Sequence, residues 1–263
     1  MAVNVRKATA FQKVICAGIS IVIFLVVWFL GTNGTRLGEV LPTPIEVIRE
    51  FFISFTEPIG RSTMLGHIGI TFSRFLVGFL LADILGITLG LTMGWYPRIN
   101  ALFGPIFQII RPIPILAWIP LGIIWFGLGE ATKYFIVFLG AFMSVTQNAY
   151  AGARSVDPTL VNAAKMLGAN DMKLFFTIVI PASTPIIFAG LHTASAVGWA
   201  SVVAAEMVRS QSGIGWLIMA GQSNHDMLQT LVGIIGIAII GFLLAACMRK
   251  LEEYLCRWTI RGK

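Results

Sequence analysis

His192, Ser195, Trp199, Val203 and Glu206 recur at intervals of three, four, four and three in an apolar stretch rich in small residues. That spacing puts them in one stripe down a helix. An imidazole, a hydroxyl, an indole N–H and a carboxylate on one face fit two uses. They can hydrogen-bond across a helix–helix seam, or they can wall a solute pathway with Glu206 near its outer mouth. Arg111 stands in a second apolar stretch, about ten residues or roughly 15 Å along it. Its guanidinium fork suits a sulfonate or carboxylate, and it could equally pair with Asp83 or Glu206. Trp118 and Trp125, seven apart, fit interfacial packing, with a ligand cage or gate as the other use. Arg74 and Asp83, nine apart, point to opposite helix faces and cannot pair within it. Arg74 shares its face with His67, and the length of that stretch lets it snorkel toward the outer surface.

Other chemistries are missing from the sequence. No lysine precedes Ser or Thr, so there is no G-x4-G-K-[ST] phosphate loop. His67, His192 and His225 are widely separated, without H-E-x-x-H or G-x-S-x-G. The chain is therefore expected not to be an enzyme by itself. Cys16, Cys247 and Cys256 lie near the two ends without metal-ligand spacing and read as free structural thiols, so no metal or cofactor is expected in this chain.

These residues need elements to hold them. The 263-residue chain is 57% apolar and 12% charged, with a mean hydropathy of +0.84. A soluble domain carries about 25% charged residues, so the solvent here is a lipid bilayer. Six stretches, 14–31, 65–94, 101–125, 132–152, 186–208 and 228–248, reach the length of about 20 residues that spanning needs. The first lacks a cleavage site and reads as a retained span. The third contains four prolines and Arg111, which predicts a kink or break. Between the first two, "LPTPIEVIREFF" predicts a proline turn and a short amphipathic helix on a surface. The net charge of +7 falls mostly in the loops and tails of one side, including Arg6, Lys7, Lys13, Arg154, Lys165, Lys173, Arg249 and Arg257. That asymmetry makes both termini cytoplasmic and no nucleic-acid footprint is implied. The chain divides into a tail 1–13, a transmembrane domain 14–248 and a tail 249–263.

The same asymmetry makes segment 153–185 a cytoplasmic loop. Asp157 reads as an N-cap and Pro158 as the first helical residue. Leu160, Ala163, Ala164 and Leu167 share a face, and Gly168 supplies the left-handed end. A second short helix from Asp171 shows Met172, Phe175 and Phe176 before Pro181 stops it. An apolar face on such a loop either folds back on its own bundle or docks into a soluble protein.

Asn162-Ala163-Ala164, three residues, Gly168, nine residues, then Ile178, Val179, Ile180 and Pro181 resembles the E-A-A-x3-G-x9-I-x-L-P loop of ABC-importer permeases. Asn162 replaces the usual Glu and Ile180 the usual Leu. "RPIPILAWIPLGIIWFGLGEATK" (111–133) and "VGWASVVAAEMVRSQSGIGWL" (197–217) resemble the nitrate/sulfonate/taurine permeases. Phe126, Gly127, Gly129, Glu130 and Lys133 make the chain more similar to the taurine and alkanesulfonate members. "GQSNHDMLQ" (221–229) and Asp83 depart from that pattern. The resemblance implies an all-α membrane protein with the type I ABC-importer permease fold, six spans per subunit, in a bacterial cytoplasmic membrane. It implies a homodimer, two cytosolic ABC ATPase subunits that bind the ATP and Mg, and an extracytoplasmic solute-binding protein. Asp157, Asn162, Ala163, Ala164, Gly168, Ile178 and Pro181 would then couple to the ATPase. Arg111, Trp118, His192, Ser195, Trp199 and Glu206 would line the pathway of a small organic anion, taurine or another sulfonate. The same class serves nitrate, bicarbonate or a heterocyclic vitamin precursor. A secondary transporter working alone would show paired inverted repeats, but only one proline-rich span is evident.

Overall fold

The computed structural model describes residues 10–208 and 210–256. Most of the expected tail 1–13, the end of the tail 249–263, and Arg6, Lys7, Arg209, Arg257, Arg261 and Lys263 lie outside the described residues. Among the described residues the backbone is helical, with no pairing beyond an isolated bridge between Ile59 and Ser62. The elements are α1 (Ala10–Thr32), α2 (Pro44–Ile53), α3 (Met64–Trp95), α4 (Pro97–Ile110), α5 (Trp118–Phe126) and α6 (Glu130–Arg154). After them come α7 (Pro158–Met166), α8 (Asp171–Leu174), α9 (Ile180–Met207), α10 (Ile214–Ser223) and α11 (Met227–Leu255). Five helical stretches among the described residues are long and apolar enough to cross a bilayer. A sixth forms if the bent pair α4 and Ile115–Phe126 counts as one span.

The centre of the bundle is α3 against α6. Small residues recur every fourth position along α3: Gly78, Ala82, Gly86, Gly90 and Gly94. Gly78 meets Val137, Gly86 meets Val145, Gly90 meets Ala149 and Gly94 meets Ala153, so contacts advance in step and the helices run parallel. A methyl group added at Gly78 would lie 2.9 Å from the Tyr134 carbonyl oxygen, and one at Gly94 2.8 Å from that of Tyr150. Lipid tails are as apolar as leucine, so it is this close backbone approach that holds the helices together. Helix α9 crosses the other face of α6 in the opposite direction, with Ser201 by Gly140, Gly190 by Asn148 and Ser183 by Gly152. Phe75 stacks on Phe79 and takes Trp199 edge-on at 5.7 Å.

The third stretch breaks as its prolines predict. Helix α4 ends at Ile110, a turn at Ile115–Ala117 follows, and the two halves diverge by 86°. The short helix after "LPTP" also forms, with Thr43 and Glu46 in a capping box and Pro44 in the first turn. Its Val47 and Phe51 are buried with Met64 and Val232, so one face packs on α11 rather than lying free.

One expectation is corrected, and two helical segments extend the sequence reading. Pro181 does not stop a helix. The chain is continuous from Asp171 to Met207, with a π turn at Phe175–Val179 just before the proline. In the wider turn the Ile180 N–H donates to the Phe175 carbonyl, one residue ahead of the proline, which has no N–H to donate. The sixth helix continues past 248 to Leu255. Finally, 214–223 is a helix, α10, missed because ten residues are too few to span. It packs antiparallel on α11, with Gly221 against Thr230 and Gly233 against Ile218.

Candidate functional site

The hairpin forms as its capping residues dictate. The Asp157 side chain accepts the Thr159 N–H at 2.8 Å, and that backbone hydrogen bond holds its carboxyl below the usual carboxylate range. Gly168 takes φ +82° and the Ala169 N–H returns to the Ala164 carbonyl at 3.0 Å, closing the end of α7. Two folding choices were open, and the tip does not fold back. No α7 residue is buried, and Leu160, Met166 and Leu167 are 54%, 84% and 89% exposed. Ala163 is exposed and Ala164 half-buried, beside an exposed Asn162. The root behaves differently. Leu174 is buried, and Phe175 and Val179 are buried with Leu91, Ala149, Ala153 and Ile187. Ile178 is half-buried and Pro181 exposed.

The residues grouped as a pathway do not come together. Glu206 is fully buried, accepting from Arg74 Nη1 at 2.7 Å, from the Thr71 hydroxyl and from the Gly215 N–H at 3.0 Å. Arg74 therefore does not snorkel outward. It is buried, and its fork reaches Glu130 at 2.5 and 2.6 Å. A charge in this position costs about 2.5–3.5 kcal/mol on insertion scales unless partnered, and Arg74 has two carboxylates. Trp199 donates to the Ile237 carbonyl at 3.2 Å and packs in the core. Ser195 bonds back to its own helix at the His192 carbonyl. Glu206 and Trp199 thus bond across to other helices while Ser195 is buried against its own, and within the stripe His192 alone is exposed. Trp118 packs beside Ile119 and Ile136, Trp125 stands edge-on to Phe135 at 5.9 Å, and both line an apolar cavity of about 710 Å³.

Arg111 pairs with neither Asp83 nor Glu206. It is exposed at the break after α4, with Nη1 donating to Gln147 Oε1 at a long 3.4 Å. It opens into a groove of about 440 Å³ with Ser144, Gln147, Asn148 and Thr193 along the wall. Sequence reasoning missed those four. Two adjacent amides inside a span, and a threonine beside His192, were the signal available. Asp83 remains half-buried, its Oδ1 without a hydrogen-bond partner among the described residues.

A third polar cluster closes the end of the bundle away from the hairpin. The Gly213 N–H donates to His67 Nδ1 at 3.1 Å, so Nε2 carries the proton and donates to the Ile59 carbonyl at 2.9 Å. Thr71 accepts the Ile214 N–H at 2.8 Å while donating to Glu206. With Arg74 they tie α3, α6, α9 and the start of α10 together.

Membrane-length helices, one broken at an arginine, and a bare amphipathic hairpin at one end define a polytopic membrane transport subunit. The chain belongs to the family of binding-protein-dependent transport system inner membrane components, whose model matches residues 84–261. It is an ABC-importer permease subunit. A putative ABC transporter permease of Methanocaldococcus jannaschii is 37% identical over 235 residues, covering 89% of this chain and 88% of that one. The taurine transport system permease protein of Escherichia coli is 33% identical, covering 94% and 90%. The nitrate import permease of Synechocystis is 31% identical, covering 92% and 89%. An inward-facing crystal form of the MetNI methionine ABC transporter superposes with TM-score 0.62 at 15% identity, covering 70% of this chain and 92% of the other. The fold is that of the type I ABC-importer permeases.

Proposed function

We propose that this subunit forms the translocation pathway for a small organic anion, taurine or another sulfonate. It would do so as a homodimer above two cytosolic ABC ATPases and beneath an extracytoplasmic solute-binding protein. Both termini and the hairpin face the cytoplasm in this reading, and ATP and Mg are bound and hydrolysed by the partner. The observation that carries the anion is Arg111, a guanidinium without an ion-pair partner among the described residues, exposed where a span is broken in a groove that also presents Ser144, Gln147, Asn148 and Thr193. Pro112 lies next to it and Pro114 two further on, and the backbone groups these residues free are tolerated only beside protein or a water-filled cavity. The taurine relative, similar over nearly the whole chain, supports the sulfonate class.

The bare tip of α7 supports the coupling role. An apolar face with Leu160, Met166 and Leu167 uncovered is suited to a groove on a soluble partner. ATPase closure would move the hairpin, and its buried root would pass that displacement to α3, α6 and α9.

The test is uptake by the chain co-reconstituted with its ATPase and solute-binding partners, comparing labelled taurine, methanesulfonate, nitrate and bicarbonate. The expected result is ATP-dependent sulfonate uptake that falls at least about tenfold in Arg111→Gln, the order of one charge-assisted hydrogen bond. Uptake of nitrate or bicarbonate without any sulfonate would overturn the solute assignment. Undiminished sulfonate uptake in Arg111→Gln would remove Arg111 from the pathway.

A further inference from the structure

We propose that Arg74 and Lys133 form a second anion site at the end of the bundle away from the hairpin, held by Glu130 as a displaceable built-in carboxylate when no solute anion is present. The inference rests on the reading above only for the charge of the natural solute.

The two carboxylates on Arg74 are not equivalent. Glu206 is wholly buried and fixed by Thr71, the Gly215 N–H and Arg74 Nη1. Glu130 has its side chain 48% exposed, while the cations it bonds are buried at 5% for Arg74 and 8% for Lys133. Both oxygens of Glu130 lie on these cations. Arg74 Nε and Nη2 form a fork at 2.5 and 2.6 Å, and Lys133 Nζ adds a third contact at 2.8 Å. No other donor to Glu130 is seen among the described residues. Two buried cations facing a half-exposed carboxylate that bridges them is the geometry of a site with its own occupant. Sulfonates and carboxylates present the same oxygens to a fork plus an ammonium.

There is room for the exchange. A cavity of about 700 Å³ opens in front of the pair, lined by Arg61, Ser62, Gln211 and Ser212 among others. That size accommodates a small solute. Arg61, exposed and bonded to Gln211 at 3.2 Å, adds a further positive charge at the rim. Glu130 is the first residue of α6, so it can swing into this cavity without disturbing the helix. Arg74 would then keep Glu206, and Lys133 with the freed fork would take the incoming anion. Solute handed in at this end would meet a first stop well before the groove at Arg111.

The site makes a prediction opposite in sign to that of a purely structural clamp. The full chain, purified in detergent, is titrated with methanesulfonate and, as a control, methylammonium. Binding is followed by calorimetry, with thermal unfolding measured alongside. Glu130→Gln removes the competing charge and should bind methanesulfonate about tenfold more tightly than wild type, as expected for one unit charge lost at contact distance in a partly screened setting. Lys133→Gln should lose that binding, and Glu130→Asp should stay near wild type. Equal or weaker binding in Glu130→Gln overturns the site, as does methanesulfonate binding that survives Lys133→Gln. The two readings fail separately. If Arg111→Gln abolishes sulfonate uptake while Glu130→Gln leaves affinity unchanged, the pathway stands and this site falls. If Glu130→Gln tightens methanesulfonate binding while the assembled importer moves no sulfonate, the site stands and the solute assignment falls.

Discussion

At the Glu130 end, three helices and the loop before α10 are joined by hydrogen bonds among His67, Thr71, Arg74, Glu130 and Glu206, most of them buried. At the opposite end, segment 157–169 touches little but itself and shows leucine and methionine side chains to solvent. Both ends contain charged residues, but they use them differently. One end buries charges with partners and so fixes the relative placement of the helices. The other keeps its charges exposed and leaves apolar atoms uncovered, the kind of surface that marks interaction sites. Within one chain, a pinned end and a bare end are the arrangement a subunit needs if force enters at one place and the bundle must not come apart at another.

Substitutions can break this contrast, beginning with the largest effect. Arg74→Leu leaves Glu206 buried without a cation and should cost about 3–5 kcal/mol. Thermal unfolding in detergent should show a marked fall in Tm that the double change Arg74→Leu with Glu206→Leu largely restores. Little loss in the single variant would mean the end is not pinned by charge. Gly90→Leu drives a side chain into the Thr146 carbonyl and, at 2.7 Å, the Ala149 methyl. The expected penalty is about 1–3 kcal/mol or more, read by the same melt.

At the bare end, stability and function should separate. Gly168 sits at φ +82°, which proline cannot adopt because its ring fixes φ near −65°. Gly168→Pro should abolish transport and uncouple the ATPase while membrane insertion and Tm stay near wild type. Normal uptake would remove the coupling role. The smallest effect concerns Asp157. Its carboxyl is held below its ordinary value of 3.8 by the Thr159 N–H, so the cap's contribution is fully present above that pH and is lost as pH falls further. Hydrogen exchange at the first turn of α7 should quicken below about pH 3.8. Asp157→Asn, still a good cap, should remove that dependence.

How much of this was legible beforehand varies with the distance over which each feature is decided. The caps of α7 and the left-handed Gly168 are set by neighbours within a few residues, and the sequence states them. The break at Arg111 is set by nearby prolines. Arg74 was misplaced because periodicity assigns a face, not a partner, and its partners lie 56 and 132 positions away in the chain. The stripe on α9 was read correctly as a stripe, yet a regular spacing does not say whether the opposing surface is a helix or a solute. Pro181 misled because the rule that proline ends helices holds for α turns, and the chain inserts a π turn just before it. The groove wall of Gln147, Asn148 and Thr193 is signalled only by two adjacent amides within a span, which mark a polar position without saying what it faces.

The ladder of small residues along α3 has a mechanical meaning. Two parallel rods in close contact along most of the 25 residues of α6 make a paired element roughly 37 Å long. The chain leaves α6 at Arg154 and enters α7 at Pro158. A displacement applied there would act on the helix whose other tip is Glu130.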